Sequence, residues 1–401
     1  IVNTNQTCCV LGRSIHDNLI MTRDIISYTL ITVDQEKAFD RVDRNLLFKI
    51  LKKFNFGEKM IKWLQVIYAN PQSVLYVNGY VGELFQTTRG IRQGCPLSSI
   101  LYVLYSEGLA TLIRKDKKIH GIPLPGKGED AKLGQYADDT TFYLHARTNL
   151  YYLFEVLHKY ERLSGSKIKP SKTKGLCLGT EPIQVGNDTI EWKEYDGLEI
   201  LGVKFYPHIL DTIRVNWMAA CDNLEEYLER HSRRRLSFRG KVIQLNTIAL
   251  APFWYLASVL PFTKPYCITT VKLIMKFLWG GGKQSTIKFD TLLSPREKGG
   301  LGLVHPQQKA YAMRIKFLTQ VGDETKNSNC LRLARYFIGF DIANLHQNWK
   351  FLKGNQYPHM DLGRKPPWFY GDIVREFKKI YDSENFHWTT GQIYTLLRNK
   401  E

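Results

Sequence analysis

The chain has 401 residues, 44% of them hydrophobic and 23% charged, with a formal net charge of +18. That is enough for two or three domains with a sizeable core, and the balance excludes a wholly disordered chain. The positive excess favours a polyanionic partner, although an evenly basic, solvated surface would give the same sum. Seven cysteines, none in a C-x-x-C pair, argue against a disulfide framework or a zinc knuckle and fit a reducing, intracellular compartment. The apolar run Thr247 to Phe262 is interrupted by Pro252 and Pro261, so no membrane association is expected. The opening I-V-N-T-N-Q has neither an initiator Met nor a charged n-region, and it reads as the start of a piece cut from a longer protein.

In chain order, residues 14–26 carry a helical stripe of Ile15, Leu19, Ile20, Ile25 and Ile26. Gly12-Arg13 before it either aims a guanidinium at phosphate or forms a plain loop. Tyr28 to Val33 is an apolar run of strand length that ends in Asp34. A carboxylate at the end of a buried strand suits a metal better than a core; as a bland alternative, Asp34 caps a helix. Two helices are expected over 44–54 and 57–69. Val74–Val77 and Gly82–Phe85 flank Asn78-Gly79, a hairpin turn signal. The Gly-flanked loop G-I-R-Q-G-C-P-L-S, residues 90–98, leads into an apolar helix from Leu97 to about Ile113. Its glycines permit close approach of backbone to a ligand.

Gln135 to Tyr143 reads Q-Y-A-D-D-T-T-F-Y, and a hairpin with Ala137-Asp138-Asp139 at its turn is expected. Adjacent aspartates resist joint ionisation unless a cation lies beside them. Mg²⁺ is usually held by one or two carboxylates plus substrate phosphates; a solvated acidic turn is the alternative. An amphipathic helix is expected over 148–163 and a short strand over 200–205. Arg162 to Lys174 holds five basic residues. From about residue 212 helices dominate, with Trp217, Cys221, Leu224 and Leu228 at helical spacing. The basic residues Arg230, Arg233, Arg234, Arg235, Arg239 and Lys241 then fall within twelve positions. That cluster is either a phosphate-tracking surface or a solvated face. Residues 291–401 bring Trp349, Trp368, Trp388 and Tyr394 and little visible chemistry.

Taken together, D-Q-E-K-A-F-D (34–40), G-I-R-Q-G-C-P-L-S (90–98) and Y-A-D-D (136–139) resemble, in order, the palm motifs of reverse transcriptases of non-LTR, LINE-type retrotransposons. Asn3, Gln6 and Gly12 to Ser14 look like the preceding motif. S-G-S-K-I-K-P-S-K-T (164–173) and L-G-V (201–203) look like the two that follow. F-L-W-G (277–280) and S-P-R-E-K-G-G-L-G-L (294–303) are similar to segments beyond the thumb. Ser99 stands where the family usually has Pro, and Lys169 where it has Asn.

The resemblance implies an α+β right-hand polymerase fold, with an antiparallel palm sheet and a fingers remnant, a helical thumb and a C-terminal extension. The expected division is partial fingers at 1–30, palm at 31–210 with a fingers insertion at about 44–90, basic thumb at 211–290, and extension at 291–401. It further implies an RNA-directed DNA polymerase using two Mg²⁺ ions, or Mn²⁺ in their place. Its partners would be an RNA template, a DNA primer and dNTPs, in the nucleus and a cytoplasmic ribonucleoprotein. By position, Asp34, Asp138 and Asp139 become the metal triad. Gln35, Phe39, Gln93, Lys172 and Arg13 become nucleotide contacts, with Phe39 excluding a 2′-OH. Leu201, Gly202 and Val203 become the primer grip; Arg233, Arg234, Arg235, Arg239 and Lys241 meet the nucleic-acid backbone. A non-catalytic, retroelement-derived nucleic-acid-binding scaffold is the alternative. A D-x-D sugar-nucleotide transferase fits the paired acids but not the Q-G-C-P-L-S loop.

Overall fold

The computed structural model describes residues 2–24, 28–125, 129–145, 148–169, 172–178, 190–193, 195–280, 287–323, 325–342 and 369–375. Ile25, Ile26, Pro170, Ser171, Trp349, Trp368, Trp388 and Tyr394, which figured in the sequence reading, lie outside the described residues. The chain divides into two compact units, one of residues 1–18 and 25–201, the other of 19–24 and 202–401.

Helix α1 (Ile15–Asp24), which belongs to the first unit up to Asn18 and to the second from Leu19, precedes strand β1 (Thr29–Val33) of the first unit. Helices α2 (Arg44–Lys53) and α3 (Glu58–Ile67) follow. The Asp43 carboxylate caps α2 by accepting from Leu46 N at 2.7 Å. Strands β2 (Gln72–Ser73), β3 (Tyr76–Val77), β4 (Tyr80–Val81) and β5 (Phe85–Gln86) form two nested antiparallel pairs, β3 with β4 and β2 with β5. Asn78 and Gly79 both take positive φ, as the expected two-residue turn demands. The long helix α4 (Pro96–Lys115) comes next, then the small pair β6 (Ile122–Pro123) and β7 (Asp130–Ala131). The hairpin of β8 (Leu133–Tyr136) and β9 (Asp139–Leu144), helix α5 (Leu150–Ser164), β10 (Lys174–Cys177), β11 (Glu191–Trp192) and β12 (Leu198–Ile200) complete the unit.

The main sheet runs β11-β10-β1-β9-β8, antiparallel except between β10 and β11. β1 is its centre, and T-L-I-T-V is β-branched or aliphatic throughout, as a strand covered on both faces requires. On one face Ile31 lies opposite Phe142, and both join Leu47, Leu101, Tyr105 and Leu157 in the core built by α2, α4 and α5. On the other, Leu30 is flanked by Tyr143 and Leu176, all fully buried. α4 is long and apolar enough to cross a membrane, but 61% of that stretch is buried inside the protein. Its apolar length serves this core.

The run 200–205 is not one strand. Leu201 and Gly202 take φ of 49° and 77°, and the chain turns there, between Ile200 and strand β13 (Val203–Phe205). Leu-Gly inside an apolar run hides a left-handed turn. The second unit continues with α6 (Ile209–Ser232), α7 (Phe238–Gln244) running through a π-helical turn into α8 (Ala251–Ala257), α9 (Lys264–Trp279), α10 (Phe289–Leu293), α11 (Pro306–Gly322) and α12 (Asn329–Ile342). The fully buried Trp217 on α6 packs among Phe253, Phe262 and Tyr266, and its indole N–H donates to Pro261 O at 2.8 Å. Residues 369–375 are tied into the same unit. Arg23 lies 3.8 Å from the Phe369 ring centroid, and Tyr370 donates its hydroxyl to Asp24, whose carboxyl burial pushes up against the opposing pull of Arg23.

Trp217→Ala removes a buried ring and leaves a carbonyl without its donor, and should cost about 3–5 kcal/mol of stability. Equilibrium denaturation in urea checks this; a loss near zero would mean that the four-ring cluster is not the core of the second unit.

Candidate active site at the tips of β1 and the β8–β9 hairpin

The strand register brings the acids together. The last pair between β1 and β9 is Val33 with Thr140, so the next step sets Asp34 opposite Asp139. Asp139 also pairs with Tyr136 across the hairpin, which leaves Ala137-Asp138 as a two-residue turn with Ala137 at φ 56°. The three carboxylates share one field. The Asp139 carboxyl is raised above the ordinary aspartate range, first by partial burial and then by the charges of Asp138 and Asp34, although part of its surface stays open. One cation already stands at this cluster: Lys172 Nζ lies 3.1 Å from Asp34 Oδ2. Residues 167–169 are held beside the end of β1 by Glu36 N to Lys167 O at 2.8 Å and Lys169 N to Asp34 O at 3.0 Å.

A hard divalent cation suits these donors: all are carboxylates, and their mutual repulsion is what added positive charge relieves. As placed, no three His, Cys, Asp or Glu side chains among the described residues converge closely enough to hold a metal ion. What fits is the chemistry and the field of the site.

Behind the acids, the Phe39 ring stacks on Tyr102 of α4, with centroids 4.7 Å apart and planes at 15°. Phe39 is half-buried, so one part of it remains accessible. Tyr102 donates to Gln35 Oε1 at 3.0 Å. The Phe39 carbonyl accepts from Ile91 N at 2.9 Å, which fastens the 90–98 loop to the chain after β1. Gly90 makes that approach feasible: at φ 86°, a Cβ there would meet Asp40 O at 2.8 Å. Gln93 stands exposed on the following turn.

Other expected contacts are placed differently. The Arg13 guanidinium is committed to the backbone carbonyls of Val2, Asn3 and Gln6, so it closes the N-terminal loop instead of reaching phosphate. Gln35 is buried, and its amide oxygen accepts from the Tyr102 hydroxyl. Lys172 is paired with Asp34. Lys241 Nζ donates to Phe277 O and Leu278 O, both at 2.9 Å, and so serves the end of α9 instead of a nucleic-acid backbone. Arg233, Arg234, Arg235 and Arg239 are exposed in the second unit. Leu201 and Gly202 form the turn, Val203 opens β13, and the two units divide between Leu201 and Gly202.

Sequence reasoning missed Arg44. Its guanidinium donates to Gly90 O, Thr87 O, Thr87 Oγ1 and Arg89 O, and so clamps the approach to the Gln93 loop onto α2. The available signal was its place directly after the Asp43 cap, which fixes where the side chain starts.

The family model described as reverse transcriptase (RNA-dependent DNA polymerase) matches residues 1–205. The chain is 27% identical over 331 residues to the transposon TX1 uncharacterized 149 kDa protein of Xenopus laevis, covering 79% of this chain and 25% of that protein. It is 21% identical over 308 residues to the retrovirus-related Pol polyprotein from type-2 retrotransposable element R2DM of Drosophila melanogaster, covering 73% and 28%. The chain thus spans between a quarter and a third of the length of these curated relatives. Among solved structures, a Candida albicans telomerase complex is similar at a TM-score of 0.29 and 11% identity, over 78% of this chain and 53% of that one, too slight a likeness to carry weight.

The crowding of the acids has a thermodynamic consequence. A carboxyl with a raised folded-state value costs stability as pH rises through that value, because it ionises less readily in the fold than in the unfolded chain. Asp139→Asn should therefore melt above wild type at pH 7 in EDTA, with the gap closing as pH falls below the ordinary aspartate range. Thermal melts across pH measure this; a variant that melts below wild type at neutral pH would mean that the three charges do not share one field.

Proposed function

We propose, on the premise that the chain belongs to the reverse transcriptase (RNA-dependent DNA polymerase) family as a domain of the non-LTR, LINE type, that it extends a DNA primer on an RNA template by nucleotidyl transfer. The observation that carries this reading is the register that sets Asp34 opposite Asp139 with Asp138 in the adjoining turn. In this reading the first unit is the palm with a fingers insertion from α2 to β5, and the second is the thumb with its extension.

Asp34, Asp138 and Asp139 would hold two Mg²⁺ ions, or Mn²⁺ in their place, which when bound acidify the primer 3′-hydroxyl and neutralise charge on the triphosphate. The chain's own residues position the reactants. Phe39, braced on Tyr102, would lie under the sugar and exclude a 2′-hydroxyl. Gln93, on the loop that Arg44 holds, hydrogen-bonds the incoming nucleotide. Lys172 leaves Asp34 for the triphosphate once other cations balance the acids. Arg233, Arg234, Arg235 and Arg239 track duplex phosphates.

A second reading, a nucleic-acid-binding scaffold without catalysis, draws support from the carboxylates' standing short of a closed metal cage and from the exposed arginines. Mg²⁺-dependent extension of oligo(dT) on poly(rA) separates the two. Under the polymerase reading Asp138→Asn falls to background with template–primer affinity unchanged; an Asn variant that still extends removes Asp138 from the chemistry.

Phe39→Ala should raise the ratio of rNTP to dNTP incorporation roughly tenfold or more, the scale that one steric contact contributes to discrimination. Competing single-nucleotide additions measure it, and an unchanged ratio would free Phe39 of that role.

A further inference from the structure

Beneath the acidic turn lies Gln6, fully buried. Its backbone neighbours run alongside β8: Thr7 N donates to Gln135 O at 3.0 Å, and Gln135 N to Asn5 O at 2.8 Å. Its side chain reaches farther along the hairpin. Oε1 accepts from Ala137 N at 3.2 Å and from Cys8 N at 3.0 Å. Nε2 donates to Ala137 O at 3.4 Å and to Ser106 Oγ at 3.3 Å, and Ser106 in turn donates to Val103 O of α4. One amide therefore grips both polar groups of a single residue and ties that residue to the long helix. The partners fix the orientation of the amide, since a flipped Gln6 would point its NH₂ at two N–H donors.

The residue so gripped is an unlikely one for its conformation. Ala137 sits at φ 56°, where a two-residue hairpin turn usually employs Gly, Asn or Asp. An alanine there costs on the order of 1 kcal/mol and persists only where its surroundings over-determine it. The hairpin cannot supply that support from its own sequence. Asp138 is the next residue, so the direction in which its carboxylate leaves the turn follows from how the Ala137 peptides are held.

We propose that Gln6 is a positioning residue for Asp138: by holding Ala137 in its left-handed conformation it sets the affinity of the acid cluster for a divalent cation. This rests on the reading that Asp138 is a metal ligand, and the experiment keeps the two apart. The probe is Mn²⁺ alone, titrated into the 401-residue chain and followed by the EPR signal of free Mn²⁺, so no turnover is needed.

Gln6→Leu should weaken Mn²⁺ binding about tenfold, within the 10–100-fold that losing an outer-shell partner costs a metal site. It should also raise by a like factor the Mg²⁺ concentration giving half-maximal primer extension. Adding Ala137→Gly should recover much of that loss, because glycine adopts positive φ without outside help. A merely structural role for Gln6 predicts no such recovery. Should Gln6→Leu fail to fold, Gln6→Asn keeps an amide one methylene too short for both groups of Ala137 and should show the same shift. Wild-type Mn²⁺ binding in a folded Gln6 variant, or a loss that Ala137→Gly leaves untouched, overturns the role of Gln6 while Asp138→Asn still abolishes binding. Wild-type binding in Asp138→Asn overturns the metal reading itself.

Discussion

The antiparallel register of β1 against β9 carries more of this molecule than any single contact. Asp34 and Asp139 are a hundred residues apart in sequence, and only the pairing that ends at Val33 and Thr140 sets them side by side. A slip of one residue would turn Ile31 and Val33 out of the core and carry Asp34 to the other face. The slip is prevented by burial on both sides of the sheet: Ile31 and Phe142 are locked into one core, Leu30, Tyr143 and Leu176 into the other. Apolar packing thus holds three like charges together that would separate if left to themselves. The Asp139 carboxyl is raised by burial first and by the charges of Asp138 and Asp34 second, and Lys172 on Asp34 partly relieves that crowding.

One face of α4 coordinates what surrounds the acids. Tyr102, Tyr105 and Ser106 fall at i, i+3 and i+4, and so share a side of the helix. Tyr102 backs Phe39 and binds Gln35. Tyr105 donates to Ser164 O at 2.7 Å and accepts from Asp43 N, joining the end of α5 to the start of α2. Ser106 receives Gln6. The chain after β1, the segment after the hairpin and the N-terminal loop are therefore all referred to a single buried rod. Arg44 does the same for the 87–90 approach from the side of α2.

Much of this was legible from residue order. T-L-I-T-V and D-T-T-F-Y-L announce strands, Asn78-Gly79 a turn, and P-L-S-S-I-L-Y-V-L-Y a buried helix, because each pattern has one cheap conformation. β10, by contrast, is four residues of K-G-L-C, and nothing local in it says that it borders β1. The turn at Leu201-Gly202 was read as strand because a leucine at positive φ leaves no mark in the sequence. Gln6 and Arg44 were invisible as supports for a related reason. Most of their partners are backbone groups, those of Ala137 more than a hundred positions from Gln6 and those of residues 87–90 more than forty from Arg44, and a main-chain group has no letter of its own.

Net charge is equally blind to where each cation's donors go. Arg13, Arg44, Lys241 and Arg335 all spend their donors on main-chain carbonyls: of Val2, Asn3 and Gln6, of Thr87, Arg89 and Gly90, of Phe277 and Leu278, and of Val321, Asp323 and Lys326. They still add to the long-range field of a chain carrying +18. Arg13, Arg44 and Lys241 each keep an N–H to spare. Every one of these head groups is nonetheless fixed at its carbonyls, and drawing it away to a phosphate would leave them unsatisfied at a cost comparable to the new contact. Contact with a polyanion therefore falls first to cations that carry no such duty. Arg233, Arg234, Arg235 and Arg239, exposed between α6 and the first turn of α7, form the densest group of that kind in the second unit's sequence. A basic residue is evidence for a nucleic-acid surface only after its donors have been followed to their partners. Here that step moves Arg13 and Lys241 from the expected interface into the scaffold, and leaves the arginine cluster as the place where counterion release would originate.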